Sequence, residues 1–347
     1  MKVTIVTTTY NHEKYIAKAI DSFLIQKTNF PFKILISDDK STDKTAEILK
    51  EYQNKYPEKI EIINHETNLG AMGNFIDTLS RVKDTEYVAL CDGDDYWTDE
   101  NKLQKQVEFL DNHKDFTICF HPSRMFFENG EKQDEILSVD TPEVTTLTDL
   151  VKWNYIIANS VVYRWKFNDT DLRVIFPENI VPGDYYIHLL HAKTGKIKKI
   201  NEVMSDYRKH EAGFWYSNAY DKDTFSLKYG KKFLNFYHLA DEQINLPKEA
   251  FLEQRKDIIY NMIIAFVKNG KIEDLKLIQE FERDEEVYYM CLLDIVNRNI
   301  EYLDMMKNSD TIGVRQELEQ CKSELAAIHN SRIWKLRNKI IKYIRKE

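Results

Sequence analysis

Tyr87-Val88-Ala89-Leu90-Cys91-Asp92-Gly93-Asp94-Asp95 runs from five apolar residues straight into three carboxylates. A continuous apolar run this short reads as a strand buried on both faces. The helical pattern of Lys102 to Leu110 follows it, and the strand-like Phe116 to Phe120 follows that. The same alternation leads up to it. Val3 to Thr7 is a β-branched run, and His12 to Gln26 places Tyr15, Ile16, Ala19, Ile20, Phe23 and Leu24 at helical spacing. Phe32 to Ile36 is a second strand, Lys44 to Tyr56 a helix ended by Pro57, Ile60 to Ile63 a third strand and Ala71 to Val82 a third helix. Strands joined through helices by short connections pair in parallel, with helices on both faces.

Ligands of such sheets sit beyond the carboxyl ends of the strands. Here those ends carry Thr8-Thr9-Tyr10-Asn11, Asp38-Asp39, Asn64-His65 and Asp92-Gly93-Asp94-Asp95. One rim therefore collects the polar chemistry. Three carboxylates in four residues repel one another unless a cation neutralises them. Hard oxygen ligands suit Mg²⁺ or Mn²⁺, whose shells are usually completed by water and substrate phosphate. The competing reading is a solvated acidic turn. Calcium is disfavoured, because the spacing after Gly93 lacks the alternate-residue ligands and terminal Glu of an EF-hand loop. In Ser37-Asp38-Asp39-Lys40-Ser41-Thr42-Asp43, Ser41 or Thr42 suits a helix cap and Asp43 the first turn. Capping leaves the adjacent Asp38 and Asp39 unexplained, and one of them is assigned to a nucleotide.

Further on, Asn129-Gly130 marks a hairpin between Arg124 and Val139. Leu147 to Trp153 and Asp184 to His191 read as helices, and Ile197 to Tyr207 as one or two strands. Past Asp221 the signals are helical, at Phe225–Leu239, Phe251–Val267 and Glu286–Arg298. Val314, Leu318, Cys321, Leu325 and Ile328 follow a 4-3-4-3 spacing that suits a short coiled coil. The expected organisation is a catalytic α/β domain over 1–220, a helical accessory region over 221–310, and a coiled-coil and tail segment over 311–347.

The net charge of −8 argues against nucleic acid as a general partner. Seven basic residues and one acid give 331–347 a charge of +6, which leaves −14 on the rest of the chain. Ile333, Leu336, Ile340, Ile341 and Ile344 would share one helical face there, with Trp334 at its border. Such a helix suits an anionic membrane surface, and its alternative is docking on the acidic body. Four scattered cysteines without a CxxC pair fit a reducing compartment. With no leader-like or membrane-spanning run, the expectation is a cytoplasmic protein, peripheral at the inner face of the plasma membrane.

Taken together, VTTTYNHEKYIAKAIDSFLIQ (6–26), ISDDKSTDKT (36–45), NHETNLGAMGN (64–74), YVALCDGDDYW (87–97), PGDYYIHLL (182–190) and YRKHEAGFW (207–215) resemble the inverting glycosyltransferase family 2. The order and spacing of these pieces carry the resemblance over about the first two thirds of the chain. It implies a GT-A fold with a mostly parallel sheet, followed here by the C-terminal helices. It also implies a donor site in which Thr8, Tyr10, Asn11 and Asp39 hold the base and Asn68 and Gly70 border the donor. Asp92 would meet the ribose, Asp94 a divalent Mn²⁺ or Mg²⁺, and Asp95 the donor sugar.

Asp184 matches the family's general base. Arg208 and His210 match a loop reaching the diphosphate and the metal, with Trp215 as its lid. Asp184 also suits a helix N-cap, and the two roles are compatible. One departure stands out: Lys40 takes the place of a customary Gly, so a non-glycine residue must bear a positive φ.

The expected partners are a nucleotide-sugar donor, a glycan or lipid-linked acceptor of surface polysaccharide assembly, and a second copy paired through the C-terminal helices. The rivals are an inactive sugar-nucleotide-binding relative and a nucleotidyltransferase. The latter would carry a Gly- and Arg/Lys-rich phosphate loop where this chain has Thr7-Thr8-Thr9-Tyr10-Asn11. A dinucleotide dehydrogenase is disfavoured because no GxGxxG follows the first strand.

Overall fold

The structure, a computed structural model, describes residues 1–176, 181–213, 215–216, 222–244, 246 and 250–269, with 287, 291 and 294. In chain order it runs β1 (Val3–Thr9), α1 (Ile16–Leu24), β2 (Phe32–Asp38), α2 (Thr45–Lys55), β3 (Ile60–Asn64), α3 (Gly70–Ser80), β4 (Tyr87–Leu90) and β5 (Tyr96–Trp97). There follow α4 (Lys102–Asn112), β6 (Phe116–Phe120), β7 (Ser123–Phe127), β8 (Glu135–Leu137), β9 (Val144–Thr145), α5 (Leu147–Lys152) and a 3₁₀ turn at Ala158–Ser160. The chain continues with β10 (Val162–Arg164), α6 (Leu172–Ile175), α7 (Gly183–Ala192), β11 (Lys196–Lys199), β12 (Ser205–Lys209), α8 (Lys222–Ile244) and α9 (Leu252–Asn269).

The main sheet has the order β3-β2-β1-β4-β10-β6-β11-β9. β1, β2, β3 and β4 pair in parallel, as the alternation requires, and β11 runs parallel to β6. The sheet is mostly parallel, as expected, with β10 its interior exception, antiparallel to both β4 and β6. β10 is three residues long and reaches the sheet from its polar rim, through the Ala158–Ser160 turn, so it runs back down between its neighbours. β9 is antiparallel at the far edge.

Packing explains the order. Ile16, Ala19, Ile20 and Phe23 form one stripe of α1, and with Leu103, Val107 and Leu110 of α4 they cover Val3 and Ile5 of β1 and Tyr87 and Ala89 of β4. Each such side chain removed from water contributes about 1.5–3 kcal/mol. On the opposite face α3 buries Phe75 and Leu79. α7 packs beside it so closely that a Cβ on Gly183 would lie 2.8 Å from Met72 Sδ.

A second sheet, β5-β12-β7-β8, is built on the residues just after the acidic run. It contains the hairpin expected around Asn129-Gly130, with β7 and β8 antiparallel. β12 is antiparallel to β5 and parallel to β7.

The chain divides into two compact units, residues 1–217 with 235–251, and residues 218–234 with the chain from 252 onward. In the first, Phe236 stacks on Tyr185. In the second, Met262 of α9 packs on Gly230 of α8. No helix among the described residues is long and apolar enough to cross a membrane. The coiled-coil spacing, the basic tail and the pairing expected through the last helices lie outside the described residues.

Candidate active site

The acidic run is a tight turn held against the end of β1. Gly93 N–H donates to Thr8 O at 2.9 Å and Asp95 N–H to Asp92 O at 3.1 Å. A side chain at Gly93 would drive a Cβ to 2.9 Å from Ile16 Cδ1 and 3.0 Å from Thr9 Cβ. The glycine is therefore required by close approach.

The three carboxylates face different partners. Asp92 accepts from Thr8 Oγ1 at 2.7 Å. Burial, then the neighbouring Asp94, and also Asp184 push Asp92 up to about 7, against the Thr8 hydrogen bond. Asp94 Oδ2 lies 2.9 Å from His210 Nε2 and 3.9 Å from His12 Nε2. Burial disfavours its charge, but His12 and then His210 outweigh this and hold the carboxyl below its usual value. Asp95, only 4% exposed, accepts from Asn159 Nδ2 at 3.0 Å and from the Arg208 backbone N–H at 2.8 Å. Burial and Asp94 raise it well above the ordinary range. Both its oxygens are thus committed to fastening β12 and the 158–160 turn to the acidic run.

β12 delivers the cationic side. Alternation along a strand sends residues 206, 208 and 210 to one face. Asp206 is buried and anchors the strand through Arg124 and the Tyr96 hydroxyl. Arg208 Nε donates to Asp94 O at 2.9 Å, and its guanidinium lies 4.6 Å from the Tyr15 ring centre and 5.0 Å from that of Phe126. Such stacking holds the guanidinium in place against aromatic faces. Glu128 accepts from Tyr15 Oη at 2.7 Å and stands 3.7 Å from the guanidinium. Trp215 is half-buried just past the turn that Gly213 closes on His210 O.

The opposite rim is formed by the β1 and β2 ends. Tyr10 is 44% exposed and presents a bare ring. Asn11 adopts φ 56°, a conformation Asn tolerates, and its Oδ1 accepts from Thr42 N–H at 2.8 Å. Asp38 is occupied by Ser41, through both the backbone and the hydroxyl. Asp39 reaches the next loop: its Oδ1 accepts from Leu69 N–H at 2.7 Å, while its carbonyl accepts from Asn68 Nδ2 at 2.9 Å. Gly70, at φ 75°, opens α3 from that loop. Lys40 has φ 60°, so the lysine does bear the positive φ that its position implies. The expected cap is corrected: Ser41 and Thr42 bond back to Asp38 and Asn11, and Asp43 Oδ1 receives the Thr45 N–H at 2.9 Å.

Asp184 enters from α7. Pro182 holds the N-cap position, so Asp184 is a first-turn residue and the cap reading does not apply. Burial raises its carboxyl to about 6, against the N–H groups of Tyr185 and Asp184. It is near enough to the acidic run to contribute to the rise of Asp92.

The residues present fit a divalent cation. The ligand atoms of His12, Asp94 and His210 all lie within 4.8 Å of one another. Three neighbouring carboxylates, two of them pushed towards the protonated form, also call for positive charge. Sequence reasoning missed His12 and Asn159. His12 lies in the Asn11-His12 pair after β1, where a turn residue is the ordinary reading, and only the fold brings it to Asp94.

A mixed α/β domain with this sheet order has the GT-A fold. Residues 4–171 match the model of glycosyl transferase family 2. An uncharacterised Mycobacterium tuberculosis protein is 43% identical over 223 residues, covering 64% of this chain and 63% of that protein. The chain thus spans under two thirds of that relative. The poly(ribitol-phosphate) β-N-acetylglucosaminyltransferase TarS of Staphylococcus aureus is 29% identical over 227 residues, which cover 63% of this chain and 38% of TarS.

Among solved structures, TarS residues 1–349 with UDP-GlcNAc superpose with a TM-score of 0.56 at 20% identity, covering 85% of this chain and 80% of that one. A Pyrobaculum calidifontis mannosyltransferase with GDP-Man and Mn²⁺ gives 0.51 at 13% identity, covering 95% and 86%. At such identities the likeness is one of fold.

Proposed function

We propose that this protein is a metal-dependent inverting glycosyltransferase. It moves a sugar from a nucleotide-diphosphate donor, a UDP-sugar in this reading, to a hydroxyl of a glycan or glycolipid precursor. The observation that carries the proposal is the meeting of Asp92, Asp94, Arg208 and His210 at one rim with Asp184 from α7. The family match supports it, as does the likeness to TarS, a β-N-acetylglucosaminyltransferase solved with UDP-GlcNAc.

Thr8, Tyr10, Asn11, Asp39, Asn68 and Gly70 form the base and ribose side, with Tyr10 offering its exposed ring for stacking and Asp92 facing the ribose. Asp95 serves the donor sugar's end of the site by holding β12 in place. Asp94 and His210 would hold Mn²⁺ or Mg²⁺, which when bound neutralises charge on a departing diphosphate. Arg208, pre-oriented by Tyr15 and Phe126, meets the same charge without reorganisation. Asp184, once ionised, takes the proton of the attacking acceptor hydroxyl. Trp215 closes over the donor. Surface polysaccharide assembly at the cytoplasmic face of a membrane, approached through the basic 331–347 tail, completes the reading.

The test is a panel of nucleotide sugars with Mn²⁺ or Mg²⁺, scored by thermal shift and by nucleotide release. UDP-sugars stabilise the protein and turn over if the reading holds. No stabilisation and no turnover with any donor refutes it, and binding without turnover marks an inactive relative.

A further inference from the structure

We infer that His12 is a third ligand of the ion, so that the site selects a transition-metal ion such as Mn²⁺ or Co²⁺ over Mg²⁺. The family resemblance places only Asp94 and His210 there. Geometry adds His12. Asp94 Oδ2 stands 2.9 Å from His210 Nε2 and 3.9 Å from His12 Nε2, and all three ligand atoms fall within 4.8 Å. Donors bound at about 2.1 Å to one octahedral ion stand roughly 3 Å apart when adjacent and about 4.2 Å apart when opposite. Asp94 and His210 already stand at the distance of adjacent ligands, and His12 joins the same shell by moving in by up to about 1 Å.

The position of His12 is built from the backbone up. The positive φ of Asn11 turns the chain after β1. His12 N–H donates to Thr45 Oγ1 at 2.8 Å, and its carbonyl accepts from Tyr15 and Ile16 N–H, each at 2.9 Å. Its ring stands edge-on to His210 at 6.1 Å and 82°. Among the described residues no hydrogen bond engages Nε2, which stands 3.9 Å from Asp94 Oδ2, beyond hydrogen-bond reach. A cation shared with Asp94 and His210 would engage Nε2, which faces that pair.

The ligand chemistry decides the ion. Mg²⁺ takes oxygen donors and gives up water reluctantly, whereas imidazole nitrogen suits later divalent ions. Two imidazoles and one carboxylate from the protein would leave the remaining positions for diphosphate oxygens and water. The ligand set does not depend on the transferase reading, but the use made of the ion does.

The experiment titrates Mn²⁺, Co²⁺ and Mg²⁺, each as the free ion, into the full chain by calorimetry. It records pulsed EPR of bound Mn²⁺ for nitrogen couplings, and measures UDP binding in parallel. Wild type should bind Mn²⁺ and Co²⁺ at least about tenfold more tightly than Mg²⁺ and show two imidazole nitrogens. His12→Ala and His12→Gln should lose about 10–100-fold for Mn²⁺ and Co²⁺, change little for Mg²⁺, and show one nitrogen. A wild-type spectrum with a single imidazole overturns the inference without any variant. So does unchanged Mn²⁺ affinity in a His12 variant that melts like wild type, or a preference for Mg²⁺. UDP binding retained in those cases leaves the transferase reading standing.

Discussion

Replacing Asp184 with Asn should remove activity and stabilise the protein, and the two effects share one cause. The Asp184 carboxyl is raised from 3.8 to about 6, chiefly by burial, with two helix N–H groups pulling the other way. Because the folded state holds the proton more tightly, ionising this group costs stability as pH rises from the unfolded value of 3.8 to about 6. Above 6 the cost is complete, and below 3.8 it vanishes. About two pKa units correspond to roughly 3 kcal/mol as an upper limit. The side chain is only half-buried, so water screening reduces this to roughly 1–2 kcal/mol.

Asp184→Asn keeps the shape and loses the charge, and it should melt a few degrees higher than wild type at pH 7.5. The gap should narrow towards pH 5. Transfer should fall by about 10²–10⁴-fold, with UDP affinity kept. Wild-type kcat/KM should drop about tenfold per pH unit below 6, as the base becomes protonated. The assays are calorimetric melting at both pH values and a pH profile of nucleotide release. An Asn variant that transfers at the wild-type rate refutes the base assignment, and one that melts lower at pH 7.5 refutes the burial argument.

Gly93→Ala should cost about 1–3 kcal/mol in urea unfolding, because its Cβ would meet Ile16 and Thr9 at 3.0 Å or less. A neutral result would mean that the turn can shift freely. Asn159→Ala strips donors from the Asp95 carboxylate and the Asp206 carbonyl, and should lower stability by about 1–3 kcal/mol. It should also weaken donor binding in the thermal-shift panel; unchanged donor affinity would separate Asp95 from the site. Lys40→Gly should stabilise by up to about 1 kcal/mol in the same unfolding assay, since glycine bears φ 60° without the strain a lysine carries there. A loss would show that the Lys40 contact with Glu66 O outweighs the strain.

By itself the sequence determined the parts whose causes are local in the chain. Apolar period, strand length and the acids that follow each strand placed β1 to β4, their helices and the polar rim. Hydrogen bonding along strands and burial of one helix stripe leave such segments few alternatives. Lys40, read as a residue needing positive φ, adopts one for the same local reason.

What only the tertiary structure decided is the division of labour among neighbours. β10 is too short to carry a pattern, and its antiparallel place follows from the Ala158–Ser160 turn that feeds it from the rim. Asp38 and Asp39 are adjacent in sequence, yet one folds its own turn and the other ties down the Asn68 loop. Asp95 looks like its neighbours but faces Asn159, which lies 64 residues away. His12 and His210, almost two hundred residues apart, meet at Asp94 because β1 and β12 both end at that rim. Side-chain partners depend on which strand ends lie together in space, and that is settled by packing across the whole sheet.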